Sequence, residues 1–286
     1  MVISENIPPV EPDTSPKLSQ LALNLITVGT DHHFEQVLDA CVAHGIRIVS
    51  PWRSHYAEIG VNQAAALLRE RSLSVSTVCR MSEFGAADSE TAWQSAITEA
   101  HQVIGEAATL RAASITVIGG GLPIGGGSLT EARNRIERGL EQVLPSARAA
   151  GVNLAIEALH PMVAAERGGI NTIAQAVAMA KGLGEGAGVM IDAYNTWWDP
   201  ALSDSIADAK GWISGYQMSD WLVPTTDMAF DRGMPGEGVI DLPAIRSMVQ
   251  EAGFQGPYEV EVLSARWSAQ PLDTVLEAVT ASFLKN

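Results

Sequence analysis

Four oxygen-bearing side chains stand at the ends of four short apolar runs in the second half of the chain. Glu157 closes Leu154-Ala155-Ile156-Glu157, and Asp192 closes Val189-Met190-Ile191-Asp192. Gln217 lies in Gly215-Tyr216-Gln217-Met218, and Glu261 lies in Tyr258-Glu259-Val260-Glu261-Val262. Such runs read as strands buried on both faces. A carboxylate there is costly unless something compensates its charge. Three carboxylates brought together repel, so alone only one or two of them stay ionised. A divalent cation favours all three anions at once. Oxygen donors without a thiolate suit Mn²⁺ or Mg²⁺ better than Zn²⁺. Gln217 can add its amide oxygen as a neutral fourth ligand. One acid alone would more simply pair with an arginine or cap a loop, but four donors on four adjacent strands favour a single cation site. Glu259 and Glu261 are two apart and share a face. Glu261, nearer the C-terminal end, is the expected ligand. Glu259 is left behind it or as a partner for Arg80.

Other residues beside these runs can act on a ligand. His160 follows Glu157 by three residues, where the strand gives way to a loop, and a histidine beside a metal is a natural proton carrier. The segment from Trp221 to Gly238 is long for a connection and carries Arg232 between Asp231 and Gly233; loops of that length are usually functional. Arg232 can hold a hydroxyl or a carboxylate. Trp197, Trp198 and Trp221 can stack on a sugar or an aromatic group, or can simply pack the mouth of the fold.

Positioning these groups requires a regular scaffold. Eight apolar, β-branched runs recur: Leu21–Val28, Ile46–Trp52, Leu73–Arg80, Ala113–Gly119, Asn153–Leu159, Gly188–Tyr194, Ile213–Ser219 and Tyr258–Leu263. Amphipathic helices are expected between them at Phe34–His44, Thr91–Arg111, Thr130–Ala150, Thr172–Leu183, Asp241–Ala252 and Leu272–Leu284, with Asn171 capping the fourth. Strict strand–helix alternation implies parallel strands with right-handed crossovers. Eight units close into a (β/α)8 TIM barrel, a single domain over 21–286 whose chemistry belongs at the C-terminal ends of the strands. An open doubly wound sheet is the rival, but no Gly-x-Gly-x-x-Gly turn follows the first run. The glycines Gly119-Gly120-Gly121 and Gly125-Gly126-Gly127 read as a flexible loop at the barrel mouth, or else as an anion cradle.

The 286 residues suit such a barrel, which typically needs roughly 250. A hydrophobic content of 47% supplies a large core. The net charge of −15, with no basic cluster, argues against nucleic acid. No run approaches the roughly 20 apolar residues that span a bilayer, so no membrane is expected. Residues 1–20, rich in Pro, Ser and Glu, read as a flexible arm without the features of a secretion signal. The two cysteines, Cys41 and Cys79, suit a reducing cytoplasm, with a disulfide left open.

With these residues in view, the chain resembles the xylose-isomerase-like TIM barrels, the sugar phosphate isomerase/epimerase family. The carriers are Ile156-Glu157, Ile191-Asp192, the segment Gln217 to Asp220, Gly236 to Asp241 and Gly256 to Glu261. The resemblance implies one divalent ion, Mn²⁺, Mg²⁺ or Co²⁺, held by Glu157, Asp192, Gln217 and Glu261. Two departures stand out. Gln217 replaces the usual histidine ligand, and Asn195 and Val163 stand where ketose 3-epimerases place a histidine and a second glutamate. Endonuclease IV shares the superfamily but uses three zinc ions and many histidines; here there are six, none after His160.

A narrower similarity is to the large subunits of bacterial C-glycoside deglycosidases. It rests on Glu157 to Pro161, on Trp197-Trp198-Asp199-Pro200, and on Asp220-Trp-Leu-Val-Pro with Asp231-Arg-Gly233. It implies cleavage of the sugar–arene carbon bond of a 3-keto-C-glycoside, with a small partner subunit. The alternatives are a sugar isomerase or ketose 3-epimerase, and a non-catalytic sugar-binding or scaffold subunit. Common to the enzyme readings is enolisation beside the metal, the proton being taken by His160 or by an acid, Glu157 or Glu261. Arg232, Trp197, Trp221 and Asn195 are the expected substrate contacts.

Overall fold

The structure, a computed structural model, describes residues 16–286 apart from residue 82. The first fifteen residues of the expected arm lie outside the described residues, and its end, Leu18–Gln20, is a single 3-10 turn leading into the barrel. All eight expected strands form: Leu21–Asn24, Ile48–Ser50, the paired segments Ser74–Val75 and Thr77–Met81, Ser114–Val117, Asn153–Glu157, Ala187–Asp192, Ile213–Met218 and Tyr258–Val260. They pair in parallel, each with its sequence neighbours, and the last returns to the first. The ring closes within the third strand. Its first segment pairs with the second strand and its second segment with the fourth, while a parallel bridge joins Trp52 to Cys79. This closed ring excludes the open sheet.

The strands are shorter than the apolar runs because the ends of the runs turn into loop. Leu25–Val28, for example, is a 3-10 turn, with the Asn24 side chain accepting from the Ile26 amide. The six expected helices form within a residue or two of their predicted ends, and Val61–Glu70, Leu202–Asp208 and the single turns Arg53–Tyr56, Ala193–Thr196 and Ala265–Ser268 add to them. Asp241 caps its helix by accepting from the Ala244 amide, and Gly253 follows at φ 89°. The cap before Ile173–Leu183 is Thr172, not Asn171. Asn171 instead donates to the carbonyls of Leu159 and Gly168 and ties down the fifth loop. The first glycine triplet is not a flexible loop. A Cβ on Gly85 would lie 2.6 Å from the Gly120 carbonyl oxygen, and Gly120 bridges Gly168, so the chain there is closely packed. Cys41 and Cys79 are free and buried. Among the described residues, no helix is long and apolar enough to cross a membrane.

Candidate active site

Strand register brings the acids together. In parallel pairs, matched residues point to the same face. Asp192 is matched to Gln217 and Gln217 to Glu259; Glu157 is matched to Met190, two before Asp192; Glu261 is two beyond Glu259. All five side chains therefore enter the barrel, and all are buried.

Arg232 reaches them from a two-stranded ribbon, in which Arg232–Gly233 pairs antiparallel with Asp220–Trp221. Its Nη1 donates to Asp192 Oδ2 at 3.2 Å, Glu261 Oε2 at 3.2 Å and Ser219 Oγ at 3.3 Å. The guanidinium lies over the Tyr194 ring at 4.3 Å. Asn195, expected to touch substrate, is committed to the protein. Its Nδ2 donates to Glu157 Oε1 at 2.9 Å and Asp192 Oδ2 at 2.6 Å, and its Oδ1 accepts from the His160 amide at 3.2 Å. Glu259 does not pair with Arg80. It accepts from Asn24, Gln217 and Ser76.

Negative charge is in excess here. Burial, with the neighbouring Asp192 charge, raises the Glu157 pKa to about 8. Burial also raises those of Asp192, Glu259 and, strongly, Glu261. Arg232 acts against these shifts for Glu157, Asp192 and Glu261, and Arg167 acts against the one at Glu157. Burial pulls on the Arg232 pKa too, yet Asp192 and Glu261 hold it above its ordinary value.

At the mouth, Trp221 stacks on Tyr194 at 4.8 Å and lies 5.8 Å from Trp197 and 5.3 Å from the His160 ring. Trp198 stands edge-on to His160 at 5.8 Å. His160 Nδ1 accepts from the Met162 amide at 3.3 Å, and partial burial lowers its pKa, so the neutral ring carries its proton on Nε2. Among the buried polar atoms without a partner are Gln217 Oε1, Arg232 Nε and Trp197 Nε1.

The donor set fits a divalent cation, by two observations. Gln217 Oε1 is a buried acceptor with no donor, amid carboxylates whose charge the protein only partly offsets. Glu157, Asp192, Gln217 and Glu261 would hold the ion. In the arrangement seen, Arg232 and Asn195 stand among the acids, and no three His, Cys, Asp or Glu side chains among the described residues form a ready cage. Arg232 hydrogen-bonds Asp192 Oδ2 and Glu261 Oε2, so the two acids that would help to hold an ion are also the partners of the guanidinium.

Asn24, Ser219, Ser76 and Tyr194 belong to this site and were not predicted. Asn24 had a signal, since it is a polar residue inside the first apolar run as Asp192 is inside the sixth, and each ends its strand. Ser219 and Tyr194 adjoin predicted residues, but nothing in their spacing says which way they turn.

The sequence profile described as xylose isomerase-like TIM barrel matches residues 38–285. Among solved structures, protein SMc04130 from Sinorhizobium meliloti 1021 is 41% identical, over 94% of this chain and 98% of that one, with a TM-score of 0.92. The IolI protein, solved with a bound zinc atom, is 19% identical over 93% and 97%, with a TM-score of 0.80. D-psicose 3-epimerase from Clostridium cellulolyticum H10, solved with D-tagatose, is 15% identical over 92% and 98%, with a TM-score of 0.74. The last two share the fold. No curated protein matches the sequence.

Proposed function

We propose, from the premise that the chain belongs to the xylose isomerase-like TIM barrel family, that it is a divalent-metal-dependent enzyme acting on a keto-sugar or sugar conjugate through enolisation. The supporting observation is the buried set Glu157, Asp192, Gln217 and Glu261, with an unpartnered amide oxygen on Gln217 and more acids than basic partners. Mn²⁺ is the preferred ion, with Mg²⁺ or Co²⁺ as substitutes. The zinc atom seen with IolI and the D-tagatose seen with D-psicose 3-epimerase suit this reading. When bound, the ion supplies Lewis acidity toward a carbonyl oxygen and an adjacent hydroxyl.

The chain's own residues do the rest. Arg232, with Nε unpartnered, orients a sugar oxygen. An acid of the cluster, Glu157 or Glu261, takes the proton α to the carbonyl. His160 Nε2–H, facing the mouth aromatics, hydrogen-bonds the leaving group, and the acid that took the α-proton returns it there. The most specific form of the proposal is C–C cleavage of a 3-keto-C-glycoside. The α-proton leaves C2, the C2 electron pair forms a C1–C2 double bond, and the C1–aryl bond breaks. The aryl carbon gains a proton, giving an unsaturated keto-sugar and the free arene. The observation favouring it is the aromatic wall of Tyr194, Trp197, Trp198 and Trp221, which suits a flat aglycone. A small partner subunit goes with this reading, in the cytoplasm.

NMR in D₂O tests it, with Mg²⁺-loaded protein offered a free ketohexose and a 3-keto-C-glycoside. Release of the aglycone supports cleavage. Deuterium entering the ketose without bond breaking makes the enzyme an isomerase or epimerase. Full activity in EDTA after proven metal removal sinks the metal scheme.

A further inference from the structure

We propose that Glu259 is a positioning residue for this cation site: from beneath the ligands it decides which end of the Gln217 amide faces the ion. The inference rests on the metal reading above. A glutamine amide has two unlike ends, an acceptor oxygen and a donor NH₂. Left to rotate amid carboxylates, it would turn its NH₂ toward them, and a cation would meet a donor instead of a ligand.

The structure blocks that rotation. Gln217 Nε2 donates to Glu259 Oε1 at 2.9 Å and to Glu261 Oε1 at 3.4 Å. Asn24 Nδ2 spans the same two oxygens at 2.8 and 2.7 Å. Two amide nitrogens and two carboxylate oxygens thus close a buried four-cornered ring that uses all four amide hydrogens. Ser76 Oγ holds the other Glu259 oxygen at 3.0 Å. Both Glu259 oxygens are occupied as acceptors, Oε1 by Asn24 and Gln217 and Oε2 by Ser76, so the NH₂ of Gln217 faces the ring and Oε1 faces away, where it has no partner. Carboxylates behind metal-bound imidazoles set ligand direction in the same way. The ring also holds Glu261 Oε1, leaving Oε2 directed at Arg232 and the site. A glutamine at 259 keeps the volume but can present either amide end, and Gln217 is then free to flip.

Titration of the full chain with MnCl₂ by calorimetry, together with melting of the metal-free protein, tests this on wild type, E259Q and S76A. We expect E259Q to bind Mn²⁺ about 10- to 100-fold more weakly while the metal-free Tm holds, because glutamine keeps the volume and still hydrogen-bonds within the ring. S76A should weaken binding a few-fold. A merely structural role predicts the reverse, a lower metal-free Tm with Mn²⁺ affinity intact, and that result overturns the proposal. If E259Q does not fold, unchanged affinity in S76A overturns it as well. Wild-type protein that binds no Mn²⁺ refutes the metal reading itself, a distinguishable failure that takes this inference with it.

Discussion

The Glu157 carboxyl, lifted to about 8 by burial and by Asp192, makes the protein's stability depend on pH in an unusual direction. An acid whose pKa rises on folding binds protons that the unfolded chain has released. Its stabilising effect is complete below the ordinary value of 4.5 and fades as pH climbs toward 8. In EDTA, the Tm should therefore fall between roughly pH 5 and 8. Added Mn²⁺ should flatten that slope by replacing the protons. A metal-free Tm that rises over this range would contradict the burial of the acids. The ligands themselves should be sensitive: D192N or E157Q should cost at least about 10-fold in Mn²⁺ affinity by calorimetry. These acids were legible in the sequence because a carboxylate ending an apolar run has few structural excuses. The partners of Asn195 were not. A helical turn, Ala193–Thr196, sets its direction and brings its amide onto Glu157 and Asp192.

At the scale of elements, the ribbon after the seventh strand governs the site. Asp220 accepts from the amides of Trp221, Gly236 and Ile240 and so folds the long loop back on itself. Gly238 is required there, since a Cβ would lie 2.6 Å from Asp220 Oδ1 and closer still to the Trp221 carbonyl. G238A should lower stability by about 1–3 kcal/mol, read by chemical denaturation, and should loosen Arg232. Arg232 is the ribbon's contribution to the acids. R232M should destabilise the metal-free protein by about 3–5 kcal/mol, because buried carboxylates lose their charge partner. Saturating Mn²⁺ should recover most of that loss. An R232M protein as stable as wild type in EDTA would mean that another cation balances the acids. The length of the loop flagged it in the sequence. The pairing of Arg232 with Trp221 that aims the guanidinium inward is a tertiary event.

For the whole molecule, the proposed metal reading joins cation binding and folding in one equilibrium. The four residues that would hold the ion lie far apart in the chain, between residues 157 and 261, so the unfolded chain would hold no such site. Mn²⁺ at 100 times its Kd should therefore add about 2.7 kcal/mol to stability. A melting curve unmoved by saturating Mn²⁺ would argue against a preformed ligand set. The alternation of apolar runs with helical periods, and the acids ending those runs, were enough by themselves to determine an eight-stranded barrel that gathers those acids inside it. Spacing along one strand carries that information because side chains alternate faces with a period of two. Only the tertiary structure decided that Glu259 turns to Asn24 and Gln217 rather than Arg80. It also decided that Asn195 faces the acids, and that the third strand splits to close the ring. Those outcomes depend on register between strands far apart in the chain and on which donor reaches a buried oxygen first, and neither is written in local pattern.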